Sequence, residues 1–184
     1  AGVVITHGTN TLEETAWLLE LLIDDLRPVV LVGAMRPATA LSADGPLNLF
    51  QAVQVALSPE ARGHGVLVVM DGQIHAAQGV TKVATQGVGS FASPGYGPLG
   101  WVDDVGVHLP MASGSRQVPF AGLDLPEQWP QVPIVYGCVE PEPLVFNACL
   151  NAGAPGLVFT GTGAGQLSAA ERSVLQAWPG KRPL

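Results

Sequence analysis

Apolar residues follow two rhythms along this chain. Short runs rich in Val, Ile and Leu, at Gly2 to Thr6, Val29 to Val32 and Gly65 to Met70, alternate with stretches where apolar residues recur every three or four positions. The runs predict buried strands, and the stretches predict amphipathic helices. Leu12, Ala16, Leu19, Ile23 and Leu26 mark the first helix, which Pro28 stops. Its start, Thr11-Leu12-Glu13-Glu14, fits a Thr-x-x-Glu capping box, with Glu13 and Glu14 where the helix dipole favours anions. A second helix is expected over Gly45 to Leu57, with Pro46 near its first turn, where a missing N–H costs little. Asp71-Gly72 predicts a hairpin into Gln73 to Ala76, and Trp101 to His108 a further short hairpin. Thr81 to Gly100 reads as Gly- and Ser-rich loop.

Pro110 to Pro133 holds five prolines and little periodicity, the composition of a linker. A new strand–helix–strand–helix pattern follows: Val132 to Tyr136, Glu142 to Ala152, Leu157 to Thr160 and Ser168 to Trp178. Apolar strands alternating with amphipathic helices predict a parallel sheet covered on both faces. The expected class is α/β: a three-layer, flavodoxin- or Rossmann-like N-terminal domain over 1–118, a linker over 119–131, and part of a smaller α/β domain over 132–184. No solenoid-type repeat is present.

Composition narrows the function classes. The 184 residues are 47% hydrophobic and 12% charged, which argues against disorder. The formal net charge of −7, without a basic stripe, argues against nucleic-acid binding. No apolar run is long enough to span a bilayer, so no membrane partner is expected. The chain starts at Ala1 and opens into strand residues without a signal-peptide pattern. That start reads as processing, engineering or a fragment, and leaves cytoplasm and periplasm both open. Cys138 and Cys149 lack metal or redox spacing and read as two buried free thiols, with one disulfide as the alternative.

Ligands of open α/β sheets bind at the carboxyl ends of strands. The loops to weigh are therefore Thr6 to Asn10, Gly33 to Pro37 and Gly161 to Gln166. Gly161-x-Gly163-x-Gly165 hints at a dinucleotide loop, but Gln166 occupies the position of the third fingerprint glycine, so no cofactor is expected. His64, His75 and His108 lack zinc-ligand spacing. His7 reads as a structural histidine near the sheet end. Trp17 and Trp178 read as packing residues on helices. Asp44, in Ser-Ala-Asp-Gly-Pro, reads as a helix N-cap.

Several blocks carry a family resemblance. Gly2-Val-Val-Ile-Thr-His-Gly-Thr-Asn-Thr-Leu-Glu-Glu-Thr15 resembles the second active-site signature of the asparaginase family (asparaginase/glutaminase, bacterial type). Val29-Val-Leu-Val-Gly-Ala-Met-Arg-Pro-Ala-Thr-Ala-Leu-Ser-Ala-Asp-Gly-Pro-Leu-Asn48 resembles the block that follows it. Val80-Thr-Lys82 and Pro94-Gly-Tyr-Gly-Pro-Leu-Gly100 recur in the same order, and Gly161-Thr-Gly-Ala-Gly-Gln-Leu167 is similar to the glycine loop of the family's second domain. The resemblance implies hydrolysis of the side-chain amide of asparagine, and to a varying degree glutamine, to the acid and ammonia. It implies two active-site threonines, one in a Thr-Gly-Gly-Thr segment that these 184 residues do not contain. The other maps to Thr9, with Lys82 as its proton partner. Gly8, Asn10, Ala34 and Gln166 map to substrate contacts: Asn10 stands where the family has an aspartate for the substrate's ammonium, Ala34 offers its carbonyl, and Gln166 stands where the glycine loop has Asn or Ser.

The chemistry suits these residue types. A threonine hydroxyl becomes a nucleophile when a base takes its proton, and a lysine serves when burial and neighbours favour the neutral amine. Tight Gly-containing turns and helix N-termini supply N–H donors to an oxyanion. Outside the resemblance, Thr9 reads as a turn or cap residue rather than a nucleophile, and Lys82 as a solvated surface lysine. Three functions follow: an asparaginase-type amidohydrolase of an amino-acid amide, a catalytically inactive or substrate-shifted binding or assembly module, and the glutamine-hydrolysing subunit of a tRNA-dependent amidotransferase. The resemblance implies a homotetramer built from tight dimers, and incomplete sheets would leave edges that pair with other chains, so a homodimer or homotetramer is expected.

Overall fold

The structure is a computed structural model and describes residues 1–112, 118, 120–139 and 144–176. It divides into two compact units, Ala1–Leu123 and Asp124–Leu184.

Unit one is built on a six-stranded sheet. Its strands are β1 (Val3–Thr6), β2 (Val29–Val32), β3 (Val66–Met70), β4 (Gln73–Ala76), β7 (Gly100–Val102) and β8 (Val107–His108), in the order β1-β2-β3-β4-β7-β8. The first three are parallel, with Val3, Val29 and Val66 in one row. From β4 outward the pairing is antiparallel. The sheet is thus mixed: a parallel core joined through helices, extended by the two hairpins expected from Asp71-Gly72 and Trp101 to His108. At the first hairpin Asp71 has φ 51° and Gly72 φ 72°. Two consecutive left-handed residues make the turn whose twist suits a two-residue hairpin, and Asp tolerates that region better than most.

Alternation along the parallel strands creates three layers. Val30, Val32, Leu67 and Val69 face helix α2 (Gly45–Leu57), where Ala52, Val55 and Ala56 meet them. Val29, Leu31, Val66, Val68 and Met70 face helix α1 (Leu12–Leu22), where Leu12 and Ala16 meet them. Every residue of β2 and β3 is buried, the mark of a strand covered on both sides. Each such Val or Leu contributes about 1.5–3 kcal/mol through burial. The effect is to hold the carboxyl ends of β1 and β2 as a rigid rim, from which the Thr6 to Asn10 and Gly33 to Pro37 loops emerge.

Local expectations fail where tertiary contacts take over. Thr11 stands at the N-cap of α1 but makes no side-chain cap bond, so the expected capping box does not form there. The helix ends at Leu22, before Pro28, and Leu26 lies beyond it, 66% exposed. The Thr81 to Gly100 segment is not all loop: β5 (Thr81–Lys82) pairs antiparallel with β6 (Phe91–Ala92).

Unit two holds a parallel pair, β9 (Ile134–Tyr136) and β10 (Val158–Thr160), with helices α3 (Leu144–Asn151) and α4 (Ala169–Gln176). A reciprocal capping box opens α4: Ser168 N–H donates to Glu171 Oε2 at 2.8 Å, and Glu171 N–H donates to Ser168 Oγ at 3.2 Å. Cys138 and Cys149 are free, but neither is buried as expected: Cys138 is exposed and Cys149 half-buried. Glu142, the expected start of one helix, and Trp178, the expected end of another, lie outside the described residues. No described helix is long and apolar enough to cross a membrane.

Candidate active site

The chain leaves β1 at Thr6, makes the turn His7 to Thr11, and enters α1 at Leu12. Leu12 is fully buried, so the helix entrance is pinned to the sheet. His7 ties the turn on both sides. Its Nδ1 lies 2.7 Å from the Gly8 carbonyl, which only accepts, so Nδ1 carries the proton. Nε2 is then the acceptor, and the Thr15 hydroxyl donates to it at 3.0 Å. The structural role expected for His7 is what its contacts describe.

Lys82 reaches this turn from β5. Its Nζ donates to Thr9 Oγ1 at 2.9 Å and to Asn10 Oδ1 at 3.2 Å. Two residues singled out by sequence thus meet although 73 positions separate them. Thr9 and Lys82 are half-buried, and Asn10 is exposed. Asn10 therefore spends its carbonyl oxygen on the lysine's Nζ.

Beside the turn lies a cleft of about 390 Å³, lined by Thr6, His7, Gly8, Val32, Gly33, Ala34, Gly45 and Leu49. Gly8 and Ala34 of the expected set line it directly. Thr9, Asn10 and Lys82 are not among its lining residues. Gly33 joins the two regions. A Cβ placed there would lie 2.8 Å from the His7 carbonyl oxygen and 2.9 Å from Thr9 Cγ2. Only a glycine lets the two strand-end loops come this close.

The Gly33 to Pro37 loop is held from below by α2. Asn48, 2% exposed, donates to the Gly33 carbonyl at 3.0 Å and accepts from Asp71 N–H at 3.2 Å. Asp44 does not cap α2 with its side chain, as expected from sequence; it accepts from Met35 N–H at 2.9 Å, Arg36 N–H at 3.0 Å and Asn48 Nδ2 at 3.1 Å. Burial pushes the Asp44 carboxyl upward, but these donors together outweigh it and hold the group below its ordinary value. Asp44 thus remains charged and ties down the loop that carries Ala34.

Sequence reasoning missed one participant. Glu13 reaches out from the first turn of α1 to β5: Thr81 Oγ1 donates to its Oε1 at 3.0 Å, and the Lys82 backbone N–H donates to its Oε2. Its partners lie 68 and 69 positions away, so no local pattern marks it. Gln166 sits in the second unit, in a glycine loop closed by a bridge between Thr162 and Gln166, with Gly163 and Gly165 at positive φ. Among the described residues no group of three or more His, Cys, Asp or Glu could hold a metal ion.

Known proteins resemble this chain in sequence and in fold. Residues 1–113 match the family described as "Asparaginase, N-terminal". A Haemophilus influenzae protein named "Probable L-asparaginase periplasmic" is 44% identical over 95% of this chain and 51% of its own length. "L-asparaginase 2" of Escherichia coli is 43% identical over 90% of this chain and 48% of its own length. The crystal structure titled as a probable cytoplasmic L-asparaginase from Campylobacter jejuni superposes with a TM-score of 0.88 at 40% identity, covering 96% of this chain and 57% of that one. The chain therefore spans about half the length of the curated relatives it matches. A family match over more than half the residues, together with the same α/β fold, is decisive: this chain belongs to the asparaginase family.

Proposed function

We propose that this chain carries an amidohydrolase site that hydrolyses the side-chain amide of asparagine, or a close amino-acid amide, to the carboxylate and ammonia. The observation that carries the reading is the 2.9 Å hydrogen bond between Lys82 Nζ and Thr9 Oγ1 at the carboxyl end of a parallel strand. Relatives named L-asparaginase support the substrate class.

In the proposed mechanism the neutral amine of Lys82 takes the proton of Thr9 Oγ1 as that oxygen attacks the amide carbon. The carbonyl oxygen becomes an oxyanion near the entrance of α1, where first-turn N–H groups and the helix dipole favour negative charge. The amide nitrogen takes a proton from the lysine and leaves as ammonia. Water then opens the threonine ester, returning the proton to Oγ1 and releasing the acid. Gly8 and Ala34 line the adjacent cleft, where the rest of the substrate would lie. Asn10 bonds Lys82 and so would steady the amine. Gln166 is proposed, as the family resemblance implies, to contact substrate bound by a neighbouring copy of the chain.

The test is ammonia release from asparagine, glutamine and simple amides. Thr9→Ala and Lys82→Met are each expected to lower the rate by orders of magnitude, with folding retained. A parent protein that binds aspartate, raising its melting temperature, but releases no ammonia would replace this reading with that of a binding module.

A further inference from the structure

Lys82 can serve Thr9 only if β5 lies in place: buried Val80 and Phe91 pack this region into the core that holds Leu12 and Ala16, but apolar packing is non-directional and leaves the last ångström of β5's position to hydrogen bonds. β5 is two residues long and, among the described residues, pairs only with β6, equally short. Val83 N–H donates to the Ser90 carbonyl at 2.8 Å and lengthens that ladder by one bond. A pair of two-residue strands is marginal without further support. Yet Lys82 Nζ sits within hydrogen-bond range of both Thr9 and Asn10. Hydrogen bonds weaken steeply beyond their normal distances, so a shift of about 1 Å in β5 would break both.

Glu13 supplies a directional link in addition to that packing. It lies one turn inside the helix that Thr9 and Asn10 enter, so its carboxylate and the Thr9 hydroxyl move as one body. Its two oxygens are divided between two donors on β5, the Thr81 hydroxyl and the Lys82 amide. Bonds to a charged acceptor are stronger than neutral ones. Among the described residues, the other hydrogen bonds between this helix entrance and β5 are those of the Lys82 amine itself. Helix-dipole stabilisation does not require this reach, and Glu14, the exposed neighbour, suffices for it.

We infer that Glu13 is the positioning residue for Lys82: its carboxylate, fixed on the first turn of α1, binds the Lys82 amide and the Thr81 hydroxyl and so sets the distance from the lysine's amine to Thr9. The inference deepens the amidohydrolase reading and rests on the roles given there to Thr9 and Lys82.

The experiment has a kinetic arm and a structural arm. Glu13→Ala should lower kcat for amide hydrolysis on the order of 10- to 100-fold, the cost of a misplaced catalytic group, with KM nearly unchanged. Glu13→Gln keeps an acceptor for the Lys82 amide and a polar partner for Thr81, and should restore most of the rate. Lys82 and Lys181 are the chain's two lysines, so lysine-selective isotope labelling gives NMR signals that Lys82→Met assigns at once. Glu13→Ala should move the Lys82 signal and speed hydrogen exchange of its amide, leaving Lys181 in place. This arm needs no turnover, so an inactive parent overturns the amidohydrolase reading without deciding the contact. A folded Glu13→Ala protein with an unmoved Lys82 signal overturns the inference. So does Glu13→Gln losing as much rate as Glu13→Ala with the signal in place, which would assign the effect to charge. Should Glu13→Ala fail to fold, Thr81→Val removes one of the two contacts at constant shape. It is expected to show the same pattern at smaller size, and an unmoved Lys82 signal there refutes the role.

Discussion

Replacing Asp44 by Ala isolates the energy that holds the Gly33 to Pro37 loop. The carboxylate accepts three hydrogen bonds, from Met35 N–H, Arg36 N–H and Asn48 Nδ2. A bond to a charged group contributes about 1.5–3 kcal/mol. The three do not add in full. Arg36 is exposed and its amide turns to water once freed. Asn48 keeps its bond to the Gly33 carbonyl. The expected net loss is therefore about 2–3 kcal/mol. For a chain of this size that is a fall of roughly 5–10 °C in melting temperature. The carboxyl is held below its ordinary value of 3.8, so its contribution is present above that pH and is lost as pH falls through the lower folded value. Thermal unfolding of parent and Asp44→Ala, followed by circular dichroism at pH 7 and pH 3, measures both effects. The gap should be open at pH 7 and narrowed at pH 3. A variant that melts with the parent at pH 7, or a gap of equal size at both pH values, would refute the reasoning.

Two further outcomes follow from buried groups near the same layers. His75 is fully buried, lies 2.8 Å from Ser93 Oγ, and burial pushes its imidazole down from 6.5 to about 4. The folded state holds it neutral while the unfolded state protonates. Stability is therefore complete above pH 6.5 and declines towards pH 4 by roughly 3 kcal/mol; urea midpoints across that range should slope, and His75→Gln should flatten the slope. Gly33→Ala would drive a methyl group to 2.8 Å from the His7 carbonyl and 2.9 Å from Thr9 Cγ2. Amide hydrolysis should fall about 10- to 100-fold through displacement of Thr9, and unchanged rates in a folded protein would contradict the close approach.

The parallel strands were legible because burial on both faces leaves continuous apolar runs at Val29 to Val32 and Val66 to Met70. The Asp71-Gly72 turn was legible because few residues accept two consecutive left-handed conformations. Helix caps were not. Thr11-x-x-Glu14 and Ser168-x-x-Glu171 have the same form, yet only the second closes reciprocally. A cap forms where the backbone presents it, and at Thr11 the approach from β1 gives φ −126° and ψ 18° instead of an extended cap. Asp44 was read from its neighbours as a cap, while its partners come from a loop eight and nine positions back. Lys82 and Thr9 were brought together by family resemblance, since nothing local in either segment points 73 residues away. Glu13 has the same long reach without a motif to mark it, and only the folded chain reveals its partners.

The central claim is that the Thr9–Lys82 pair turns a strand-end turn into a hydrolytic site. Steady-state ammonia release from L-asparagine, compared between the parent protein and Thr9→Ala, tests it most directly. The account predicts measurable release by the parent and a loss of several orders of magnitude in the variant, at unchanged melting temperature. Equal release by the two proteins would contradict it.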